Sequence, residues 1–291
     1  MFEGVLPAIV TPFKRNLAMD LDLEGLASNI EFLIENGVHG IVPCGSTGES
    51  ATLSFEEHEK VIAVTIDAVN GRVPVIAGTG SNNTAEAVRF TKAARDLGAD
   101  GVLVISPYYN KPNRSGLVKH YTILADLDIP LIMYNVPGRT GQNLTPDLVI
   151  ELARHPGIVG VKEASGDIGQ ISRIIEGTLD EDFAVISGDD NLTFPILALG
   201  GNGVISVTAN IEPGRMVAMF DAFCEEDFET ALDLHYELAP LFRSMFIDTN
   251  PIPVKKAVEL RGMAAGPVRL PLDELDEVKT GQLREVLTCY D

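Results

Sequence analysis

A lysine within an apolar segment of the chain has the surroundings of a reactive amine. Lys162 lies in IVGVKEASGD, residues 158–167, a run that otherwise reads as a buried strand. Burial disfavours the ammonium form and lowers a lysine pKa, and the free amine is the nucleophile that forms a Schiff base with a carbonyl compound. The segment therefore indicates imine chemistry, although a lysine at a strand end could instead reach solvent or pair with Glu163 or Asp167.

Hydroxyl groups that could move protons for such chemistry follow other apolar runs. Tyr134, at the end of the preceding run, could transfer protons if its hydroxyl is linked to another donor. Ser46 or Thr47 of a glycine-flanked loop could be that link, and one tyrosine of the pair Tyr108–Tyr109 could extend it to solvent. Each residue also has an ordinary structural interpretation, since a buried tyrosine usually packs and makes one hydrogen bond.

Two features of the sequence could bind a carboxylate. Arg139, in NVPGRTG, can grip a carboxylate with two parallel hydrogen bonds. The backbone N–H groups of residues 45–48, just before a predicted helix, form a second anion site without a formal charge. The alternative for Arg139 is a surface ion pair, because the chain has an excess of acidic residues.

These residues lie at the ends of short apolar runs that alternate with helical patterns. We count eight runs rich in β-branched residues: VLPAIV, GIVPCG, VPVIAGTG, DGVLVIS, IPLIMYNVP, IVGVKEAS, FAVISGD and GVISVTAN. Between two of them, Ser54 and Glu57 form a capping box that predicts a helix start. The alternation predicts an α/β fold, a parallel (β/α)8 TIM barrel, with an open doubly wound sheet as the alternative.

The strand pattern stops after Asn210, and the remaining sequence has helical patterns only. Residues 212–246 predict two helices, and NPIPVKKAVELRGM starts another. We therefore predict a barrel in residues 1–222 and a C-terminal helical region, or appendage, in residues 223–291. A second independently folded domain is the alternative.

The barrel prediction brings the candidate residues to one place. Active sites of such barrels lie at the carboxyl ends of the strands, where the polar residues of this chain gather. Alternation assigns every second residue of strand 158–163 to the barrel interior: Ile158, Gly160 and Lys162. A lysine beside a glycine in that interior has room but little water, as imine chemistry requires.

Composition excludes several classes of protein. The 291 residues include 42 acidic and 22 basic side chains, a formal charge of −20 that would repel nucleic acids and anionic membranes. No apolar run reaches the ~20 residues of a membrane span, and the first residues lack the pattern of a secretory signal, so we predict a cytoplasmic protein. Three cysteines and five histidines show no metal-ligand or disulfide spacing, so we predict no metal site.

The motifs taken together resemble those of a known family over essentially the whole chain. Eight occur in the family's order: GSTGES, AGTG, PYYNKP, YNVPGRTG, GVKEASGD, SGDD, GVISVTAN and NPIPVK. The chain is thereby similar to the dihydrodipicolinate synthase / N-acetylneuraminate lyase family of Schiff-base aldolases. The resemblance implies condensation of pyruvate with L-aspartate-4-semialdehyde, in the diaminopimelate route to lysine, without a metal or organic cofactor. It also implies a homo-oligomer, most often a tetramer built as a dimer of dimers.

The resemblance assigns catalytic roles by motif. It implies that Lys162 condenses with pyruvate and that Tyr134 donates and accepts protons. The implied relay runs from Tyr134 through Ser46 to Tyr109, which would reach in from a neighbouring subunit.

The same resemblance assigns the substrate contacts. Thr47 would hold the pyruvate carboxylate through its N–H and hydroxyl, and Arg139 would bind the carboxylate of the aldehyde. Gly188 and Ile205 would line the pyruvate pocket. The paired tyrosines and Arg139 favour the synthase branch of the family, whereas serine at position 46, where the synthase more often has threonine, is familiar from the lyase branch.

A lysine-effector site of the family has matching positions in this chain. They are Ser50, Ala51, His58, Asn82, Glu86 and Tyr108. Phe55 stands where some feedback-sensitive members have a histidine, so we expect at most weak inhibition by lysine.

Other functions fit the sequence less well. Within the family, the alternatives are a 2-keto-3-deoxy sugar-acid aldolase and an N-acetylneuraminate lyase. A pyridoxal-phosphate enzyme would need a phosphate cup, but the glycine-rich GGNGVIS precedes a strand and so lies at the wrong end of the barrel. A non-catalytic α/β ligand-binding protein is the remaining class, and the presence of both Lys162 and Tyr134 argues against it.

Overall fold

The structure, a computed structural model, describes residues 2–290, in which strands and helices alternate as predicted. The strands are β1 (Gly4–Pro7), β2 (Ile76–Gly78), β3 (Gly101–Ile105), β4 (Leu131–Asn135), β5 (Ile158–Glu163), β6 (Ala184–Ser187) and β7 (Gly203–Ser206). The α-helices are α1 (Leu23–Glu35), α2 (Phe55–Val69), α3 (Thr84–Leu97), α4 (Arg114–Ala125), α5 (Pro137–Thr140), α6 (Pro146–Ala153), α7 (Ile168–Gly177), α8 (Thr193–Ala198), α9 (Pro213–Cys224), α10 (Phe228–Ser244), α11 (Ile252–Leu260) and α12 (Glu277–Leu287). Short 3₁₀ helices at Ser50–Thr52, Asp190–Leu192, Thr208–Asn210 and Thr288–Tyr290 complete the regular structure of this range.

The strands form a parallel sheet that closes on itself. Their order is β1-β7-β6-β5-β4-β3-β2, with parallel pairing throughout. GIVPCG, the second of the eight predicted strands, is reduced to isolated parallel bridges, Ala8 with Val42 and Ile41 with Val75. These bridges join β1 to β2 and complete the ring, so the predicted (β/α)8 barrel is confirmed.

Alternation along the strands separates an interior core from an outer core. The interior cluster consists of small and branched side chains from around the ring: Leu6, Ala8, Val42, Ile76, Leu103, Ile132, Tyr134, Ala184, Ile186 and Ile205. The larger outer cluster packs the opposite strand faces against the surrounding helices. The barrel is thus a filled core whose carboxyl end carries the polar residues.

One predicted orientation in β5 is wrong. Ile158 packs in the outer core, and Val159 packs against the interior cluster. The cause is a register shift between β4 and β5 at Leu131/Ile132. From Gly160 onward the predicted alternation holds, because Gly160 and Lys162 pair with interior residues of β4.

The helix signals in the sequence correspond to helices in the structure. The Ser54 hydroxyl accepts from the Glu57 N–H at 3.2 Å, and the Glu57 carboxylate accepts from the Ser54 N–H at 2.9 Å, which is the predicted capping box at the start of α2. Within residues 2–290, no helix is both long and apolar enough to cross a membrane.

The C-terminal helices enclose a core of their own that is continuous with the barrel. This cluster includes Val5 and Val204 of the strands as well as Leu241, Val258 and Leu283 of the late helices. The predicted division at residue 222 falls within α9. The division into two regions stays a prediction.

Candidate active site

Lys162 lies near the carboxyl end of β5 with its side chain in the barrel interior. It is only 5% exposed, and its backbone is in register with Tyr134 of β4 and Ile186 of β6. Its Nζ lies 4.5 Å from the centre of the Tyr134 ring. Gly188 leaves room for the stem, since a Cβ at that position would lie 3.0 Å from the lysine Cε.

Burial changes the acidity of Lys162 in the direction that imine chemistry needs. Desolvation lowers the pKa of the ammonium to about 8; the charge of Asp190 raises it and the charge of Arg139 lowers it. At pH 7 a group with this pKa is about one-tenth free amine, against less than a thousandth for an ordinary lysine. The residue can therefore act as a nucleophile near neutral pH.

Tyr134 is shifted in the opposite direction by the same cause. Burial raises the pKa of its phenol to about 12, opposed by the charge of Arg139 and by a hydrogen bond with Ser46. The phenol therefore stays protonated at neutral pH and can donate a proton or a hydrogen bond. Tyr134 and Ser46 line the same cavity, and the relay between them stays a prediction.

Thr47 is held by a residue far along the chain. It is 3% exposed, and its Oγ1 accepts a hydrogen bond from Nδ2 of Asn250 at 3.0 Å. Because the threonine oxygen acts there as the acceptor, its own hydrogen stays available for a ligand. The same Asn250 accepts, through its backbone carbonyl, a 2.7 Å hydrogen bond from Nη2 of Arg139.

The loop that carries Ser46 and Thr47 is anchored by a buried ion pair. Nζ of Lys255 donates to the Glu49 carboxylate at 2.7 Å and to the carbonyl of Pro267 at 2.7 Å, and both side chains of the ion pair are at most 2% exposed. The second Glu49 oxygen accepts from the backbone N–H of Arg269 at 2.9 Å. Glu49 has a φ of 53°, a left-handed conformation that these bonds hold in place.

A second buried polar network joins the ends of β4 and β5 on the opposite face of the sheet. Asn135 and Glu163, the residues that follow Tyr134 and Lys162, are in register, and Nδ2 of Asn135 donates to Oε1 of Glu163 at 3.0 Å. Nε2 of Gln170 donates to the same carboxylate at 3.1 Å. The network fixes the two strand ends relative to each other.

A cavity of about 570 Å³ opens beside this site and connects most of the predicted residues. Ser46, Tyr134 and Arg139 line it. So do five of the six predicted effector residues: Ser50, Ala51, His58, Glu86 and Tyr108. Asn82 is not among the lining residues, although its neighbour Ser81 is.

The predicted pyruvate-pocket residues lie deeper than this cavity. Thr47, Gly188 and Ile205 do not line it, nor does Lys162. Ile205 is 1% exposed in β7, and Gly188 contacts the lysine stem as described above. Tyr134 is the connection, since it lines the cavity and its ring lies under the lysine Nζ.

Tyr109 is the predicted catalytic residue that does not join the others. Its side chain is 89% exposed, and it does not line the cavity. Its φ of 71° belongs to the left-handed region that a tyrosine rarely adopts. The chain therefore presents this phenol outward from its own barrel.

His58, one of the predicted effector residues that line the cavity, is buried and neutral. Its Nε2 lies 2.9 Å from the carbonyl of Gly78, and its ring lies 4.1 Å from that of Phe90. Burial lowers its pKa to about 4, so the ring is neutral, and Nε2 must carry the hydrogen because a carbonyl only accepts. Nδ1 has no hydrogen-bond partner among the described residues and is available as an acceptor.

Three structurally important residues were missed by the sequence reasoning: Asn250, Glu49 and Asp190. Asn250 and Glu49 have partners more than 200 positions away, and no periodicity or motif encodes such a contact. Lys255 lies in the helix predicted to start at NPIPVKK, and its ion pair with Glu49 has no local sequence signal. Asp190 had a usable signal, because it follows a buried strand at the barrel mouth.

Comparison with known proteins identifies the family of the chain. Residues 1–289 match the model of the dihydrodipicolinate synthetase family. The 4-hydroxy-tetrahydrodipicolinate synthase of Methanoculleus marisnigri is 75% identical over 290 residues, which cover 100% of both chains.

Solved structures agree as well. The dihydrodipicolinate synthase of Aquifex aeolicus superposes with a TM-score of 0.96 at 47% identity, covering 99% of this chain and 98% of that one. A monomeric dihydrodipicolinate synthase variant superposes with a TM-score of 0.96 at 42% identity, covering 99% and 96%. The family resemblance seen in the motifs is therefore confirmed, and the chain belongs to the dihydrodipicolinate synthetase family.

Proposed function

We propose that this chain is a lyase, a 4-hydroxy-tetrahydrodipicolinate synthase that condenses pyruvate with L-aspartate-4-semialdehyde on the way to diaminopimelate and lysine. The observation that carries the proposal is the pairing of Lys162 and Tyr134. Both are buried and in register at the barrel mouth, and near pH 7 burial keeps the phenol protonated and makes part of the lysine a free amine. The relatives that share the whole length of the chain are named for this activity.

The chemistry begins with the lysine amine. Nζ of Lys162 adds to the keto carbon of pyruvate, and the keto oxygen leaves as water after protonation, which gives an iminium. Loss of a methyl proton yields an enamine, whose methylene carbon attacks the aldehyde of the second substrate. The amine of that substrate then displaces Lys162 as the ring closes, which regenerates the free lysine.

The proposed proton relay uses the phenol of Tyr134. The Ser46 hydroxyl, which lines the same cavity as Tyr134, would give the proton a second carrier, so that water could be eliminated from the carbinolamine without a charged acid. The relay would continue to Tyr109 of a neighbouring subunit. The outward position of Tyr109 supports this arrangement, and a homotetramer remains a proposal.

The two substrate carboxylates would bind to different groups. The Thr47 N–H and hydroxyl suit the carboxylate of pyruvate, with Gly188 and Ile205 forming the walls around its methyl group. Arg139, exposed at the mouth and oriented by its bond to the Asn250 carbonyl, suits the carboxylate of the aldehyde. The groups proposed for pyruvate lie deeper than Arg139, which suits a reaction in which pyruvate binds to Lys162 before the aldehyde enters.

The test is turnover of both substrates by the purified protein. We expect pyruvate consumption that depends on aspartate-4-semialdehyde and is lost in Lys162→Ala. Borohydride should trap pyruvate on the peptide that contains Lys162. Trapping of pyruvate without turnover of aspartate-4-semialdehyde would support the imine but indicate a sugar-acid aldolase instead of the synthase. The absence of trapping would refute the proposal.

The effector residues support a separate proposal of weak control by lysine. The five that line the cavity include a neutral acceptor on His58 and a carboxylate on Glu86, groups that suit the ammonium ends of an amino acid. Phe55 stands where some feedback-sensitive members of the family have a histidine, so one polar contact to the effector would be lost. A lysine titration of activity decides the matter, and inhibition at low micromolar lysine would contradict weak control.

A further inference from the structure

Asp190 is a buried carboxylate with one oxygen left unpaired. It is 2% exposed and begins the 3₁₀ helix that follows β6. Its Oδ2 accepts three hydrogen bonds, from the Val207 N–H at 3.2 Å, the Thr208 N–H at 2.8 Å and the Thr208 hydroxyl at 2.7 Å. Its Oδ1 accepts none from the described residues. A buried charge in this situation is costly unless a nearby cation compensates it.

The strand order brings one candidate cation toward this carboxylate, the proposed nucleophile. β6 lies beside β5, with Ile186 in register with Lys162, and the chain continues through Gly188 directly against the lysine stem. Asp190 follows two residues later. Among the described residues, Asp190 and Lys162 form no ion pair within 4.0 Å, either with each other or with another group, and the charge of Asp190 acts on Lys162 from a longer distance, where it raises the lysine pKa.

We propose that Asp190 is the counter-ion of the Lys162 nitrogen, stabilising first its ammonium and then the iminium formed with a keto acid. The second half of this role rests on the function proposed above. Imine formation from the neutral amine takes up one proton, releases one water and leaves one positive charge on Nζ. A carboxylate fixed by its three hydrogen bonds can therefore stabilise both charged states through its field, without moving.

The other groups that face Lys162 do not supply this charge. Arg139 at the mouth is a cation and opposes protonation of the lysine, whereas Tyr134 is neutral. Glu163 lies on the opposite face of β5, within its own hydrogen-bond network. Asp190 thus offsets the effect of Arg139 on the pKa of Lys162. The pKa stays close enough to neutral pH for both the ammonium and the free amine to be present.

The test replaces the charge but keeps the shape. In Asp190→Asn the amide oxygen can still accept from residues 207 and 208, while the negative charge is lost. The reactivity of Lys162 toward trace acetic anhydride, followed by mass spectrometry against pH, reports the pKa of the amine without any substrate. We expect the midpoint to fall by about one pH unit.

Three further variants make the result decisive. Asp189→Asn removes the neighbouring carboxylate, and Thr208→Val removes one donor to Asp190 but keeps its charge, so neither should move the midpoint. An unchanged midpoint in Asp190→Asn, or an equal shift in Thr208→Val, would overturn the counter-ion. Asp190→Ser serves the same purpose should the asparagine variant fail to fold.

Pyruvate capture separates this proposal from the function it rests on. Borohydride trapping at pH 9, above the lysine pKa, should yield several-fold less adduct in Asp190→Asn than in the unaltered protein, because the iminium has lost its partner. Equal yields would overturn the iminium role. If the unaltered protein traps no pyruvate, both the proposed function and the iminium role of Asp190 are wrong. The pH dependence of acetic anhydride labelling then still tests whether Asp190 stabilises the ammonium form of Lys162.

Discussion

Lys162 and Tyr134 acquire complementary chemistry from one physical cause. Burial disfavours whichever form is charged, so it lowers the lysine pKa to about 8 and raises the tyrosine pKa to about 12. Near neutral pH the pair therefore consists of a partly free amine beside a fully protonated phenol. The residue types and their positions at strand ends could be read from the sequence, but the magnitude of burial could not.

The first prediction concerns pH. Only the free amine of Lys162 attacks, and its fraction rises tenfold per pH unit below a pKa of about 8 and levels above it. We therefore expect kcat/KM for pyruvate to rise from pH 6 to 8 and then flatten, as measured by steady-state kinetics across this range. A profile that is flat from pH 6 to 8 would exclude a titrating lysine.

The second prediction concerns the phenol. Tyr134→Phe should lower kcat by about 10² to 10³, the usual contribution of a positioned acid, while borohydride still traps pyruvate on Lys162 after longer incubation. Tyr121→Phe is the matched control, since Tyr121 is also fully buried but its hydroxyl lies 3.4 Å from the carbonyl of Val104 on β3. Equal losses in both variants would indicate a packing role for Tyr134.

At the scale of elements, the strand and helix signals predicted most of the architecture. The β-branched runs, the capping box at Ser54 and the position of Lys162 in the barrel interior all follow from local patterns. The orientation of Ile158 does not, because a register shift depends on the neighbouring strand rather than on the segment itself. Nor does the reduction of the predicted GIVPCG strand to isolated bridges.

A helix from the far end of the chain holds the loop of Ser46 and Thr47. Lys255→Ala leaves the Glu49 carboxylate buried without its cation and with only the Arg269 N–H as donor, which should lower the free energy of unfolding by about 3–5 kcal/mol. We also expect a higher KM for pyruvate. Urea unfolding and steady-state kinetics measure the two effects. Lys256→Ala is the control, since its partner Glu259 is half-exposed, and we expect at most about 1 kcal/mol.

Another element-scale prediction concerns the buried histidine of α4. Burial lowers the pKa of His120 from 6.5 to about 4, so between these values the unfolded chain binds a proton that the folded chain does not. Stability is therefore lost as pH falls from 6.5 toward 4, by up to about 3 kcal/mol from this residue. In His120→Gln, urea unfolding at pH 7 and pH 4.5 should differ by less than in the unaltered protein, and an undiminished difference would contradict the assignment.

At the scale of the whole molecule, contacts between distant parts of the sequence complete the site. Asn250 joins Thr47 to Arg139, and Lys255 neutralises Glu49. No sequence pattern predicts these pairings, since no partner stands out from the other residues of its own segment. Motif resemblance identified the reacting groups, whereas only the folded chain shows what holds them.

The exposed Tyr109 leads to a test of assembly. If it completes the pocket of a neighbouring subunit, Lys162→Ala and Tyr109→Phe chains refolded together should recover up to about a quarter of full activity, because hybrid pairs regain one intact pocket. A mixture of Lys162→Ala with Tyr134→Phe is the control, as these two residues belong to the same pocket. Recovery in neither mixture would place Tyr109 outside the reaction.

The ties from Asn250, Lys255 and Arg269 to the loop at residues 45–49 bear on how the protein is made. During synthesis the barrel strands leave the ribosome first, and the segment that fixes the carboxylate-binding loop leaves last. Until about the last seventh of the chain begins to emerge, at residues 250–255, Thr47 lacks its partner and Glu49 lacks its cation. A nascent barrel would thus carry its amine without a finished substrate pocket, so reactivity toward cellular keto acids is delayed until the chain is nearly complete.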